Sequence, residues 1–468
     1  MIYITLDREC GLPFTRQIYA FLREAILDGR LKPDEKLPST RELKTFLGVS
    51  RNVVIESYEQ LAAEGYAYTK GGSGTYVSKG VLWENREKPR SLFTPEREEK
   101  RAKRGVIAFR TGIPDMASIP VKKWAKLYRE TALDIKPEQL GYQNPYGEYE
   151  LRYQLCDYLR RARGVNTTPE HILITNGAAQ AFSLLCGFVR PGEYALAENP
   201  LSYGILHTLE SRGVPVETIP VDSKGMMTEK LPEKAPKLIF TTPSHQFPTG
   251  AILPVSRRIE MVRYAKEQGA YIVEDDYDSE FRFRGSPVPS MQNLEPERVI
   301  YVGTFSKTLM PALRLGYMVL PETLRKEMEE AKYVADLHSP VLEQLTLARF
   351  LEQGLFERHI KKMRGLYFKR KTFLCQCLKE TFGDRAVPLG ADAGLHLMAK
   401  FQGICFQEPL MKRLEEERLE LTPVRRHYLN PSGGPTPYDQ CVLFGYGNTD
   451  LPAIAEGINR LKKVLIIQ

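Results

Sequence analysis

The chain of 468 residues is too long for one ordinary hydrophobic core, so two or more folding units are expected. Its 42% apolar and 26% charged residues exclude a disordered or fibrous chain, and no run reaches the ~20 apolar residues of a membrane span. The opening MIYITLDREC lacks the order of a signal peptide, the seven scattered cysteines suit reduced thiols better than a metal or disulfide frame, and the net charge of +8 permits an acidic partner; a cytoplasmic protein is expected.

Residues 1–77 read as a small unit. Ile18, Leu22, Ala25 and Ile26 fall at helical spacing and give a first helix that ends near Gly29. Ser39-Thr-Arg-Glu42 has the form of a capping box before a second helix buried through Leu43, Phe46 and Leu47. Gly48-Val49 makes a tight turn, Ser50 caps a third helix, and Val54, Tyr58 and Leu61 form its inner face. Tyr66–Thr69 and Thr75–Val77 can pair as a hairpin around a glycine-rich tip, so the unit reads as a winged helix-turn-helix. The segment LPSTRELKTFLGVSRNVVIESYEQLAAEGY followed by GGSGTYV resembles the DNA-binding domain of the GntR family. That resemblance implies a helix in the major groove of double-stranded DNA, with contacts from Arg41, Ser50, Arg51 and Asn52 and from Gly71 and Gly72 in the wing. Ile55 stands where some relatives carry a further basic residue.

From Leu82 to Gly105 the chain holds eight Lys/Arg and five Asp/Glu with few apolar residues, so residues 78–105 are expected to form a solvated linker. Beyond it, apolar runs such as HILIT, KLIFTT, AYIVED and RVIYVG alternate with helical patterns over residues 106–468. This is the pattern of an α/β unit with a mostly parallel central sheet and helices on both faces.

Four strand ends carry chemistry. HILIT runs into Asn176-Gly-Ala-Ala-Gln180 at a helix start, where the backbone of Gly177, Ala178 and Ala179 can cradle an anion. AYIV runs into Glu274–Asp278, in which Asp275 and Tyr277 face one side; a buried carboxylate there suits a pyridinium nitrogen, and a phenol suits the ring oxygen. RVIYVG runs into TFSKTLMPALR, where Lys307 is placed for Schiff-base chemistry and Thr304, Ser306 and Arg314 supply groups for a phosphate. KLIFTT ends in PSHQFPTG, a further loop over the same carboxyl edge.

These motifs, with FRTGIPD, YQNPYGEYELR and Asn199-Pro200, resemble fold-type I aminotransferases. Joined to the winged helix they are similar to the MocR group of transcription regulators. The resemblance implies a pyridoxal 5'-phosphate (PLP) cofactor carried by Lys307, with Asp275 on the pyridine nitrogen, Tyr277 on the ring hydroxyl and Tyr203 stacked on the ring. Gly177, Ala178, Thr304, Ser306 and Arg314 would meet the phosphate, and Tyr142 would reach it from the second chain of a homodimer. A smaller C-terminal α+β subdomain is expected from about residue 335.

Three positions depart from the aminotransferase pattern. Phe247 replaces the asparagine before Pro-Thr-Gly, CVLFGYGN lacks the usual carboxylate-binding arginine, and Ile205 stands where relatives that sense γ-aminobutyrate can place one. Arg425 and Arg426 are the nearest carboxylate candidates, with a pair of surface charges as the plainer reading. The expected function is PLP-dependent transcription regulation by a small amine effector (an amino acid, a dipeptide or PLP itself) with at most weak transaminase activity. The alternative is an active aminotransferase with an appended DNA-binding domain.

Overall fold

The computed structural model describes residues 4–8, 11–81, 105–285, 288–429 and 433–466. It divides into two compact units, Met1–Arg101 and Ala102–Gln468. The expected linker lies almost wholly outside the described residues. Among those residues no helix is long and apolar enough to cross a membrane.

In the first unit, helices α1 (Phe14–Leu27), α2 (Thr40–Leu47) and α3 (Arg51–Ala63) precede a hairpin of β1 (Ala67–Lys70) and β2 (Gly74–Val77). The Ser39 side chain accepts from the Glu42 backbone N–H while the Glu42 carboxylate accepts from that of Ser39, a reciprocal cap worth ~1 kcal/mol. Gly48 turns the chain in the left-handed region at φ 64°. Ile18, Leu22, Ile26, Leu43, Val54, Tyr58 and Leu61 share one core. Phe46, expected inside, is 51% exposed: α2 has only two turns, and its single buried row runs through Leu43 with Leu47 at its edge.

The second unit begins with β3 (Ile107–Ala108), α4 (Val121–Asp134), α5 (Tyr149–Arg163), β4 (Ile172–Thr175), α6 (Ala178–Cys186), β5 (Ala195–Asn199) and α7 (Tyr203–Ser211). It continues through β6 (Val216–Asp222), β7 (Gly225–Met226), β8 (Leu238–Thr241), α8 (Val255–Gln268), β9 (Tyr271–Asp276), β10 (Val299–Thr304), α9 (Phe305–Thr308) and β11 (Gly316–Val319). Eight of these strands form one sheet in the order β4-β11-β10-β9-β8-β5-β6-β7. The pairings from β10 to β6 are parallel, whereas β11 and β7 run against their neighbours. The expected mostly parallel sheet is therefore present, and strands such as β9 and β10 are buried at every residue because helices cover both faces.

The chain then forms α10 (Arg325–Asp336), α11 (Val341–Glu352), α12 (Leu355–Phe382), β12 (Ala386–Leu389), β13 (His396–Phe401), α13 (Leu410–Glu416), β14 (Leu419–Glu420), β15 (Thr422–Pro423), β16 (Cys441–Gly445) and α14 (Leu451–Ile466). An antiparallel sheet of order β12-β13-β16-β15 carries the smaller core. Leu347, Phe350 and Phe356 still pack with the large sheet, and the smaller core opens with Met363 and Tyr367. It also takes in Phe109 from the start of the unit, because β3 pairs with β14.

Candidate functional site

The carboxyl ends of β4, β5, β8, β9 and β10 lie along one edge of the large sheet, and the motif residues collect there. Thr304 pairs with Gly316, and Gly316 with Thr175, which carries the loops after β4 and β10 side by side. Gly177, at φ 84°, opens α6 with no side-chain cap, and a Cβ there would stand 3.1 Å from the Arg314 guanidinium. Arg314 is itself left-handed at φ 50° and donates from Nη2 to the Asn176 carbonyl at 2.8 Å. The Thr304 hydroxyl accepts from the Ser306 N–H at 3.2 Å. The start of a nine-residue helix, the Arg314 guanidinium and the Thr304-Phe-Ser306 turn thus lie side by side, and such donors suit an anion.

Lys307 is partly buried on α9 and reaches toward Gly112, where a Cβ would stand 2.9 Å from its Nζ. Burial lowers the pKa of its amine and Arg314 adds to that, against the pull of Asp278 and Asp275. Asp275 is buried at the end of β9. Burial raises its carboxyl to about 8, helped by Asp276 and Asp278 and opposed by Lys307. Alternation along β9 sends Glu274 and Asp276 to the other face, where Asp276 accepts from Arg163 Nε and the Tyr301 hydroxyl, each at 2.6 Å.

The Tyr277 hydroxyl donates to the His245 carbonyl at 2.8 Å and lies 3.1 Å from His245 Nδ1. His245 in turn pairs with Asp278 at 3.0 Å. The spacing of HQFPTG and of the acidic run did not single out this pair, since its members stand 33 residues apart and meet only because β8 and β9 are neighbours. Gly112 falls within the FRTGIPD motif, but its contact with Lys307 was not foreseen for a similar reason, since the fold alone brings that loop to the lysine.

The remaining expected residues are less gathered. Tyr203 begins α7, is 59% exposed, and stacks on His207 with ring centroids 5.6 Å apart. Tyr142 is 87% exposed and meets His338 edge-on. Arg425 forms an ion pair with Asp439 at 3.3 Å, which occupies the guanidinium expected to take a carboxylate, and Arg426 is exposed. The rings of Phe247 and His427 meet at 5.0 Å, and burial depresses the His427 pKa to about 4.

In the first unit Arg41, Ser50, Arg51 and Asn52 are all exposed around the start of α3. Ser50 accepts from the Val53 N–H at 3.4 Å, and Arg51 Nε donates to Thr40 Oγ1 at 3.4 Å. Gly71 and Gly72 form the exposed wing tip with nothing near their missing side chains. Lys70 and Lys36, not anticipated, lie over the Tyr76 ring at 5.0 and 6.0 Å and bring cations to the hairpin.

Residues 14–77 match the family model of bacterial regulatory proteins of the gntR family, and residues 104–425 match that of aminotransferase class I and II. The kynurenine aminotransferase of Pyrococcus horikoshii, solved in complex with PMP and with kynurenine as substrate, superposes with a TM-score of 0.71 at 26% identity. The match covers 78% of this chain and 92% of that one. The larger unit is thus a fold-type I aminotransferase domain. Over 99% of its length the chain is 34% identical to the probable rhizopine catabolism regulatory protein MocR of Rhizobium meliloti, spanning 96% of that protein. It is 31% identical to the pyridoxine biosynthesis transcriptional regulator PdxR of Corynebacterium glutamicum, over 93% of this chain and 92% of that one. The chain belongs to the MocR-type transcription regulators, in which a GntR helix-turn-helix precedes an aminotransferase-like domain.

Proposed function

We propose that this chain is a DNA-binding transcription regulator whose aminotransferase-like unit holds PLP on Lys307 and responds to a small primary amine. The observation that carries this reading is the electrostatic contact of Lys307 with Asp275 at the carboxyl edge of the sheet: an amine whose pKa burial lowers, and a carboxyl that burial, Asp276 and Asp278 raise to about 8 against the pull of Lys307. The donors present fit the cofactor. Gly177 leaves open the space that a Cβ would take from Arg314, and no other residue type would keep that cradle clear.

When bound, PLP supplies an aldehyde that condenses reversibly with primary amines. Lys307 Nζ is the amine that the protein offers, and its lowered pKa keeps a larger share of it unprotonated. Asp275 would hold a proton on the pyridine nitrogen, and the groups around Gly177 and Arg314 would anchor the phosphate, with Ala178, Thr304 and Ser306. Tyr203 would cover the ring and Tyr277 would bond its oxygen. Arg425, released from Asp439, or Arg426 would meet an acidic effector group. Tyr142, exposed on its own chain, would complete the site of a dimeric partner.

An effector that competes with Lys307 frees this side chain, and a dimer that binds effector unequally in two arrangements is shifted by at most that difference, typically ~1–3 kcal/mol. Arg41, Ser50, Arg51, Asn52 and the wing would read paired half-sites on DNA in the cytoplasm. Selection of genomic fragments by the full-length protein tests this. Enrichment of fragments with paired or repeated half-sites, lost in Arg51→Ala, is expected. Rapid turnover of an amino donor to a keto acid without any enrichment would contradict it.

A further inference from the structure

His245 and Asp278 are enclosed almost completely, each side chain being 1% exposed. His245 Nδ1 lies 3.0 and 3.2 Å from the two Asp278 carboxylate oxygens, and Nε2 lies 3.4 Å from the Gly390 carbonyl. Both partners can only accept, so the ring is satisfied on both sides when each nitrogen carries a proton. Burial opposes the charge, but the Asp278 carboxylate outweighs it and the His245 pKa is raised. From the smaller core, the loop before β13 closes over the pair. A Cβ on Gly394 would stand 2.2 Å from His245 Cε1 and 2.4 Å from Asp278 Oδ2, and the Leu395 N–H donates to Asp278 at 3.1 Å. The titratable groups that face His245 are Asp278 and Tyr277 from the segment after β9 and His396 from β13, its ring 4.8 Å away. His396 is pushed well below its ordinary pKa, first by burial and then by His245, and stays neutral.

We infer that the His245–Asp278 pair is a positioning device for Tyr277: it holds a cation against the phenol oxygen and so strengthens the hydrogen bond that Tyr277 gives to a ring oxygen of the bound cofactor once its O–H turns there from the His245 carbonyl. This rests on the cofactor reading proposed above. The phenol oxygen lies 3.1 Å from His245 Nδ1, close enough for the imidazolium to polarise its O–H. Phe247, which edges the Tyr277 ring at 6.2 Å, brings no donor of its own. A stronger donor at the ring oxygen stabilises negative charge there. That oxygen then holds the proton on the Lys307 nitrogen less firmly, and the proton leaves at lower pH.

The test is a pH titration of the visible absorption of the full-length protein loaded with PLP. His245→Gln and, independently, Asp278→Asn are expected to raise the midpoint by about one pH unit. Tyr277→Phe should raise it at least as far, and the double variant His245→Gln/Tyr277→Phe should go no further than Tyr277→Phe alone. A midpoint unmoved in both His245→Gln and Asp278→Asn while Tyr277→Phe shifts it would overturn the inference alone, as would full additivity in the double variant. A colourless loaded wild-type protein would overturn the cofactor reading and this inference with it.

Discussion

The Nζ of Lys307 occupies the space that any side chain at residue 112 would claim, since a Cβ built on Gly112 stands only 2.9 Å from it. Gly112 is also left-handed at φ 67°, a conformation that costs other residues ~1–3 kcal/mol. Gly112→Ala therefore displaces the lysine tip or strains the loop. The affinity for PLP, followed by the rise of the visible band on titration, is expected to fall about tenfold or more, which corresponds to ~1.4 kcal/mol. Unchanged affinity would mean that Lys307 reaches the cofactor along another path.

Asp275 links stability to pH in the cofactor-free protein. Burial raises its carboxyl from an ordinary 3.8 to about 8, so between those values the folded chain binds a proton that the unfolded chain does not. Stability then falls as pH rises through this window. Asp275→Asn should flatten that decline and raise the Tm of the cofactor-free protein at pH 8 by a few degrees. The same substitution should weaken the PLP-loaded protein, because the amide gives the pyridine nitrogen no anionic partner. A Tm decline as steep in the variant as in the wild type would assign the pH dependence to other groups.

The buried Lys332 ties down the turn that opens α6, which is proposed to hold the phosphate. Its Nζ donates to Gln180 and Asp336 at 2.9 Å and to Ser339 at 3.0 Å, and Asp336 also accepts from Asn176 Nδ2 at 2.5 Å, next to Gly177. Lys332→Met leaves the Asp336 carboxylate without its cation and should cost about 3 kcal/mol. Thermal unfolding should show a Tm drop of several degrees, partly recovered in Lys332→Met/Asp336→Asn. No loss in the single variant would mean that water replaces the ammonium group.

The two exposed cation sets of the first unit should separate on DNA. Arg51→Ala removes a side chain at the start of α3 and is expected to cost about 1–3 kcal/mol with relaxed sequence preference. Lys70→Ala in the wing should weaken all sequences alike and lower the salt slope by about one. Equal effects of both substitutions on specific and random DNA would contradict a base-reading role for Arg51.

Much of this architecture was legible in the sequence because strand ends are local features. HILIT, AYIVED and RVIYVG each deliver their functional residues within a few positions of an apolar run, so Lys307, Asp275 and Gly177 could be named without coordinates. Pairs made by the fold could not. His245 meets Asp278, Arg425 meets Asp439 and Lys307 meets Gly112 across loops whose register no periodicity records. No periodicity records how α12 divides its packing, since one continuous helix serves the large core at Phe356 and the small one from Met363 onward. Phe46 misled because an eight-residue helix buries less of its apolar spacing than a longer one.

Borohydride reduction of the PLP-loaded protein, followed by peptide mapping by mass, tests the central claim most directly. A pyridoxyl adduct on the peptide that contains Lys307, absent in Lys307→Ala and diminished by prior addition of a competing amine, is the predicted result. A wild-type protein that takes up PLP yet yields no adduct on Lys307 would contradict the account.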